Sequence, residues 1–481
     1  MELLFIITFF VMASLIGLLA RQREVIEIAS IIASVVAFVG SILVAFKVAS
    51  SGTYTPFLFF SVDALGAIVL LIIAFAGLAT SAYSIPYLRQ ETAKNIIGFI
   101  KVKQYFVLLN LFLAAMVLAI SASSPIFTWI SIEATTLSTA FLISFYGKSS
   151  AIEAAWKYLI INSIGLLLGF LGTLLYFTSA GSLDENGFAS WQWLTVNAAH
   201  LDPSIAKIAF IFVLIGYGTK VGLAPMHTWL PDAHSKAPAP VSALLSGVLL
   251  NVALAVVLRF KIITEITADR HFTQSLLIIF GLLSIFIAAL IILTQKNYKR
   301  LLAYSSIENM GIMALGFGFG GLGVFGAVLH MIYHALVKSA LFLSAGTVFL
   351  KYGSTKIAKI SGMLTALPVT SIFFLMGFLA ITGTPPFGIF FSKVFIISAG
   401  IKTYPAVGVL ALFLMVILFI GFFKHMSAMV FGKKPAEIET GNENVWLIIP
   451  PIVLLLVFVC LSFFIPGFLR TLIDSVTASY S

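Results

Sequence analysis

Charge is scarce in this sequence. Only 10% of its 481 residues are Asp, Glu, Lys or Arg, where a soluble domain carries about a quarter. Hydrophobic residues make up 60%. No soluble core of this length hides so much apolar surface, and bilayer hydrocarbon is the solvent that accepts it. Cysteine is almost missing: Cys460 is the single one, inside the apolar run from Leu447 to Phe464. One thiol forms no internal disulfide and holds no iron–sulfur cluster, so it reads as a small apolar filler. There is no haem-attachment CxxCH, no Walker A motif and no strand-associated GxGxxG. No cofactor, bound metal or catalytic centre of its own is therefore expected. The net charge of +10 comes without any basic run interleaved with aromatics, which excludes a nucleic-acid partner. It fits cationic loops on the cytoplasmic side of a membrane protein instead.

What is present is a series of apolar runs. Runs long enough to span, about 20 residues each, fall at 3–20, 25–46, 57–83, 104–122, 125–146, 156–179, 204–224, 240–262, 272–294, 301–319, 322–350, 365–385, 387–430 and 444–469. The thirteenth is too long for one crossing, and its first part is assigned to the twelfth helix, beyond Pro385-Pro386. The pattern predicts an all-α polytopic protein of about 14 transmembrane helices. The first run carries Glu2 ahead of it and Arg21 and Arg23 behind it. A secretory signal has its positive charge first, so this run is expected to be a retained first helix.

Loop charges give an orientation. Eighteen of the 28 Lys and Arg residues follow odd-numbered spans, seven lie on the other side, and Lys220, Lys338 and Lys393 sit within apolar runs. The bias predicts cytoplasmic odd loops and both termini outside. The one long polar insert, Gly181 to Pro203, falls on the outer face.

Two runs are interrupted alike. The seventh passes Gly216-Tyr-Gly-Thr-Lys220 and then Pro225; the twelfth passes Gly383-Thr-Pro385-Pro386-Phe-Gly388 and then Lys393. Proline removes a donor and frees a carbonyl one turn back, which hydrocarbon tolerates only where the backbone is buried or faces a watery cavity. An ordinary proline kink is the simpler reading of either break alone. Paired breaks, each with a lysine close by, point to an internal repeat with the transport site near the midplane.

Ionisable residues inside the spans are the candidate site. Glu133 lies eight residues into the fifth span, about 12 Å deep at 1.5 Å per residue, where a charge costs about 2.5–3.5 kcal/mol. It reads as a proton carrier; a protonated Glu bonded between helices is the alternative. Lys220 is a switchable proton site if buried and a snorkelling anchor if not. His330, His334 and Lys338 are spaced by four and share one helix face. The His pair could ligate a metal, but the ammonium one turn on repels a cation, and His titrates near neutral pH, so a proton relay is the better reading. Lys393 is a further relay candidate, or an interfacial anchor. Asp63 reads as a helix cap or anchor, Ser305-Ser-Ile-Glu308 as a capping box with Glu308 lining an entry route as the alternative, and Pro225 to His234 as a polar, proline-bounded segment. The glycines from Gly316 to Gly323 allow close helix approach.

These residues in this order resemble the antiporter-like membrane subunits shared by respiratory complex I, multisubunit Na⁺/H⁺ antiporters and energy-converting [NiFe] hydrogenases. The likeness rests on Trp129 to Ser138, Lys220 to Ala243, Tyr304 to Gly311, His330 to Gly346 and Gly383 to Lys393. The stretch from Lys220 through Asn251 looks most like the component F type of hydrogenase 4 and formate hydrogenlyase.

The resemblance implies two inverted five-helix repeats with broken helices 7 and 12, dividing the chain into 1–103, 104–262, 263–430 and 431–481. It implies a Glu133–Lys220 pair, a relay through His330, His334 and Lys338, and an exit at Lys393, with His227 on the same route. On helix 8, other members place a titratable residue where Ser246 and Asn251 stand here; neither titrates, although Asn251 can hold water. The implied function is proton translocation in a redox-driven complex of a prokaryotic inner membrane. The implied partners are other antiporter-like subunits and a peripheral arm of [NiFe] hydrogenase and iron–sulfur subunits. The alternative is a subunit of an Mrp-type Na⁺/H⁺ antiporter without a redox partner. A Na⁺ site wants several carboxylates or carbonyls, and the predicted midplane offers Glu133 and lysines, which favours H⁺.

Overall fold

The structure, a computed structural model, describes residues 1–179, 190–441 and 443–481. In a bilayer each backbone polar group needs an internal partner, and the helix supplies it within one segment. The chain accordingly folds into α1 (Glu2–Leu19), α2 (Arg23–Ser51), α3 (Ala64–Ala93), α4 (Phe99–Ser121), α5 (Pro125–Ile143), α6 (Ser149–Ser179), α7 (Trp191–Val196), α8 (Pro203–Val221), α9 (Trp229–Lys236), α10 (Ala239–Leu244), α11 (Leu250–Thr267), α12 (Arg270–Ile292), α13 (Tyr298–Phe319), α14 (Leu322–Tyr352), α15 (Met363–Ala366), α16 (Pro368–Thr382), α17 (Gly388–Thr403), α18 (Pro405–Val430), α19 (Val445–Phe463) and α20 (Gly467–Tyr480). A small antiparallel hairpin, Tyr54–Phe57 with Phe60–Val62, fills the loop between α2 and α3.

Among the described residues, twelve segments are long and apolar enough to cross a membrane, the α8–α9 and α10–α11 stretches each counting once. The tenth predicted run corresponds to α13, which carries Lys299, Arg300 and Glu308, and the twelfth to the pair α16 and α17. The polar insert Gly181 to Pro203 lies outside the described residues up to position 189; its remainder forms α7 and the cap of α8.

Burial sorts the helices. Segments α10 to α11 and α14 are buried almost throughout, whereas α1, α18 and α19 expose Leu, Ile, Val and Phe side chains. The first set is the centre of the molecule and the second its apolar outer surface. Cys460 is exposed on α19 and so fills no core gap, unlike the expectation. Lys299, Arg259 and Lys261, counted with the loops from sequence, are buried inside helices. Removing them leaves seventeen loop charges against five, so the asymmetry sharpens. The sequence pattern also missed α20, an amphipathic helix after the last span that packs on α2, α3 and α14.

Both interruptions are built alike. Gly222 and Gly383 end α8 and α16 in the left-handed conformation, at φ 82° and 86°, where a side chain would be strained. A cis X-Pro bond follows each, at Ala224-Pro225 and Pro385-Pro386. Close packing then fixes the first break. A Cβ at Gly216 would lie 2.3 Å from the backbone nitrogen of Gly169 on α6, so α6 and α8 touch backbone to backbone. A third irregularity joins α10 to α11: Leu245–Leu249 is a π-helical turn, the kind of insertion that frees backbone groups.

Candidate functional site

Lys220 ends α8 with its side chain wholly buried, so snorkelling is excluded. Its Nζ donates to Thr136 Oγ1 on α5 at 2.9 Å and to the Tyr158 hydroxyl on α6 at 2.6 Å. Tyr158 in turn shares a hydrogen with Thr139 at 2.6 Å. Glu133, one turn before Thr136, is half-buried; Oε1 accepts from Ser163 at 3.0 Å and Oε2 has no partner among the described residues. The expected direct Glu133–Lys220 pair is therefore not formed. Their charges still act on each other, and the hydroxyls of Thr136 and Tyr158 take two of the ammonium's three donors. The physical reason is supply: α5 offers the lysine a closer oxygen one turn inward from the carboxylate.

Across the first break, His227 is buried with Nδ1 unpartnered among the described residues, its ring 6.4 Å from that of Tyr304. On the π-turn, Ser246 and Ser306 of α13 bond hydroxyl to hydroxyl at 2.6 Å. Asn251 donates to the Gly247 carbonyl at 2.9 Å and keeps Oδ1 buried and free among the described residues. The link at helix 8 is thus non-titratable but polar.

The three α14 side chains are all buried. Lys338 donates to the Leu302 carbonyl at 2.7 Å and also to Ser305 Oγ, both on α13. The His330 and His334 rings stack at 6.4 Å and 15°. Neither nitrogen of His334 has a partner among the described residues. His330 is fully satisfied: Nε2 meets Asn309 Oδ1 at 2.8 Å and Nδ1 meets Ser392 Oγ at 2.9 Å. Ser392 also lies 2.9 Å from the Ile389 carbonyl. Its hydroxyl donates to Nδ1 when the imidazole is neutral. Turned to Ile389, it can accept from a protonated Nδ1, so the hydroxyl can serve either hydrogen-bonding role.

Lys393 pairs with Glu308 at 2.8 Å and reaches the Ile381 and Thr382 carbonyls at 3.3 Å each. Those carbonyls sit at the end of α16, where the break frees them. Lys393 is buried and does not anchor at the interface. Glu308 corrects the capping-box reading. It lies mid-helix in α13, whose cap is Asn297. Like Glu27 and Glu91, it is a buried carboxylate in an interior expected to hold Glu133 alone. Asp63 does cap α3, accepting from Gly66 at 2.6 Å, and pairs with Arg259 at 3.2 Å. No three His, Cys, Asp or Glu side chains converge as a metal site among the described residues.

Residues 122–419 match the family model of the NADH:quinone oxidoreductase/Mrp antiporter transmembrane region. The chain belongs to this family. It is 41% identical over 377 residues to a hydrogenase-4 component F homolog of Methylacidiphilum infernorum, covering 77% of this chain and 78% of that one. With hydrogenase-4 component B of Escherichia coli it shares 31% identity over 348 residues, covering 69% of this chain and 49% of the relative. Its fold superimposes on a chain of the archaeal membrane-bound sulfane sulfur reductase with a TM-score of 0.88 at 23% identity, covering 100% and 96%. A chain of the Mrp complex from Dietzia sp. DQ12-45-1b gives 0.85 at 18%, covering 99% and 96%. The protein is a multi-pass, antiporter-like membrane subunit with an all-helical transmembrane fold.

Every site residue expected from sequence is buried except Glu133, which is half-buried. From sequence, Asn309, Ser392, Thr136 and Tyr158, groups that hold the bases, were not assigned, and Glu308 read first as a cap. For Glu308 a signal existed: a carboxylate in the middle of the 301–319 run. The hydroxyls carried none, since Ser, Thr and Tyr are common in membrane helices and only contact singles them out.

Proposed function

We propose that this chain translocates protons as the antiporter-like subunit of a redox-driven membrane complex, of hydrogenase, formate hydrogenlyase or complex I type. The observation that carries the reading is the set of buried bases, each held by polar side chains: Lys220 with Thr136 and Tyr158, Lys338 with Ser305, His330 between Asn309 and Ser392, and Lys393 with Glu308. A charge at mid-membrane costs about 2.5–3.5 kcal/mol, and three buried lysines are expensive in a chain that moves no proton.

In this reading Glu133 and Lys220 are the switch, working through Thr136 and Tyr158. His227 and Asn251 carry water across the middle. Lys338, His334 and His330 pass the proton on, and Lys393 releases it when its bond to Glu308 loosens. The likeness to the component F homolog supports a hydrogenase-type complex. We extend that to partners: further antiporter-like subunits and a peripheral redox arm in a prokaryotic cell membrane. Both termini lie outside, and 104–262 and 263–430 are inverted repeats flanked by 1–103 and 431–481.

The test uses the whole complex in proteoliposomes with a pH-sensitive dye. Supplying the electron donor is expected to drive proton movement with or without Na⁺. Na⁺/H⁺ exchange without electron flow would favour the Mrp-type alternative.

A further inference from the structure

A cleft of about 610 Å³ lies at the C-terminal end of α3, and none of the buried bases lines it. Helix α3 packs against both α2 and α19, and all three elements supply the walls. Ile31 comes from α2, and Trp446 from α19 with its capping residue Asn444. From α3 come Ala82, Ile85, Pro86, Arg89, Gln90 and Ala93, spaced by three and four as one helix face requires.

Along that face the chemistry changes. The inner part, Ile31, Ala82, Ile85 and Pro86, presents only hydrocarbon side chains. The outer part carries Arg89, Gln90, Asn444 and Trp446. Ala93 follows Ala82 by eleven residues, about 16 Å at 1.5 Å per residue, and half of the hydrocarbon core is about 15 Å. The cleft therefore has the depth of one leaflet, apolar where acyl chains run and polar where headgroups sit. Ile28, Ile32 and Val35 of α2 and Ile449 and Val453 of α19 are exposed on the bordering helices, so it opens on the apolar outer surface. This end of α3 is on the side proposed as cytoplasmic.

The polar end suits an acceptor. Arg89, half-exposed, gives Nε to Glu27 at 3.3 Å and Nη2 to the same carboxylate. Its Nη1 has no partner among the described residues. Arg23 holds Glu27 at 2.7 Å, so two guanidiniums share one carboxylate and positive charge remains at the rim. Glu24, exposed on α2, stands outside the lining and is balanced by exposed Arg21. Asn444 spends Oδ1 on the Trp446 backbone N–H at 3.0 Å and keeps its amide nitrogen. Trp446 is exposed, its indole N–H free among the described residues. No carboxylate lines the cleft among the described residues.

We propose that this cleft binds a phospholipid of that leaflet. Its phosphate sits at the Arg89 guanidinium and the Trp446 indole, and one acyl chain lies along Ile31, Ala82 and Ile85. A phosphodiester brings acceptors and no donor, and guanidinium is the side chain that matches it best. An exposed tryptophan suits the headgroup level. An anionic headgroup is preferred, because the ammonium of phosphatidylethanolamine finds no carboxylate in the lining. Lipid binding here is independent of the proton-translocation reading.

The test is native mass spectrometry of the purified complex, delipidated in detergent and given back phosphatidylglycerol or phosphatidylethanolamine. Phosphatidylglycerol should be retained on this chain more tightly than phosphatidylethanolamine. Arg89→Gln should weaken that retention about tenfold or more, the worth of one hydrogen bond to a charged group, while Glu27 keeps Arg23. Ala82→Phe fills the apolar end without touching the ion pairs and should weaken both lipids alike, with the unfolding midpoint of the complex unchanged. Should Arg89→Gln fail to assemble, Ala82→Phe decides. Glycerol phosphate, the headgroup alone, should not compete; competition by it would mark a free-anion site and overturn the lipid assignment. In intact membranes a photoreactive phosphatidylglycerol should label the peptides holding Ile85 and Trp446. Equal retention by the unaltered chain and the variants, equal binding of the two lipids, or coverage of those peptides by a neighbouring subunit in place of lipid would each overturn the proposal.

Discussion

Removing Glu308 tests how the Lys393 end is held. Its carboxylate lies 2.8 Å from the Lys393 ammonium, with both side chains buried. At an effective dielectric of about 20, charges at that separation attract by about 6 kcal/mol. Desolvation of both ions cancels most of this, so the pair adds little net stability. Breaking it by one substitution leaves an uncompensated charge, at a cost of about 3–5 kcal/mol. The carbonyls of Ile381 and Thr382, at 3.3 Å, are too long to replace the carboxylate. Glu308→Gln and Lys393→Met should each lower the unfolding midpoint of the purified complex. The double variant should recover most of the loss, because neither charge is stranded. All three should fail to pump. Thermal unfolding followed by tryptophan fluorescence, with proton uptake in parallel, measures both. Additive losses in the double variant would refute the pairing, and normal pumping by Glu308→Gln would refute its role.

Two further outcomes are expected. Asn251→Leu removes the free Oδ1 beside the π-turn and should impair pumping with assembly intact; normal pumping would show that protons bypass helix 8. With Cys460 replaced, an impermeant thiol reagent on intact cells should label Ser481→Cys and not Lys434→Cys, and the opposite pattern would reverse the topology.

Much of the fold was legible because lipid imposes one rule on every span. An uninterrupted apolar run must be a helix, so Arg270–Ile292 and Leu322–Tyr352 fell close to the runs at 272–294 and 322–350. The breaks were legible for a related reason: glycine and proline leave a trace, and Gly222 and Gly383 are where the helices end. The bases of the site stood out because charge in hydrocarbon is rare. Their partners did not. Ser305 and Glu308 match a capping box, yet the helix had already begun at Tyr298, since the short-range pattern cannot say which Asn or Ser starts the helix. Glu133 and Lys220 are both near the switch, but which hydroxyl lies nearer the ammonium depends on the α6–α8 contact at Gly169 and Gly216. The π-turn has no spelling in Leu-Ser-Gly-Val-Leu, and α20 looked like a tail because its apolar face is too narrow to read as a span.

The account's central claim is that the carboxylate of Glu133 drives Lys220 without touching it, through Thr136 and Tyr158. Proton uptake by the whole complex carrying Glu133→Gln, in proteoliposomes supplied with electron donor, tests this most directly. The account predicts that translocation stops while the complex stays assembled, and that adding Lys220→Met makes nothing worse, because the two act as a unit. Full pumping by Glu133→Gln at normal redox turnover would contradict it.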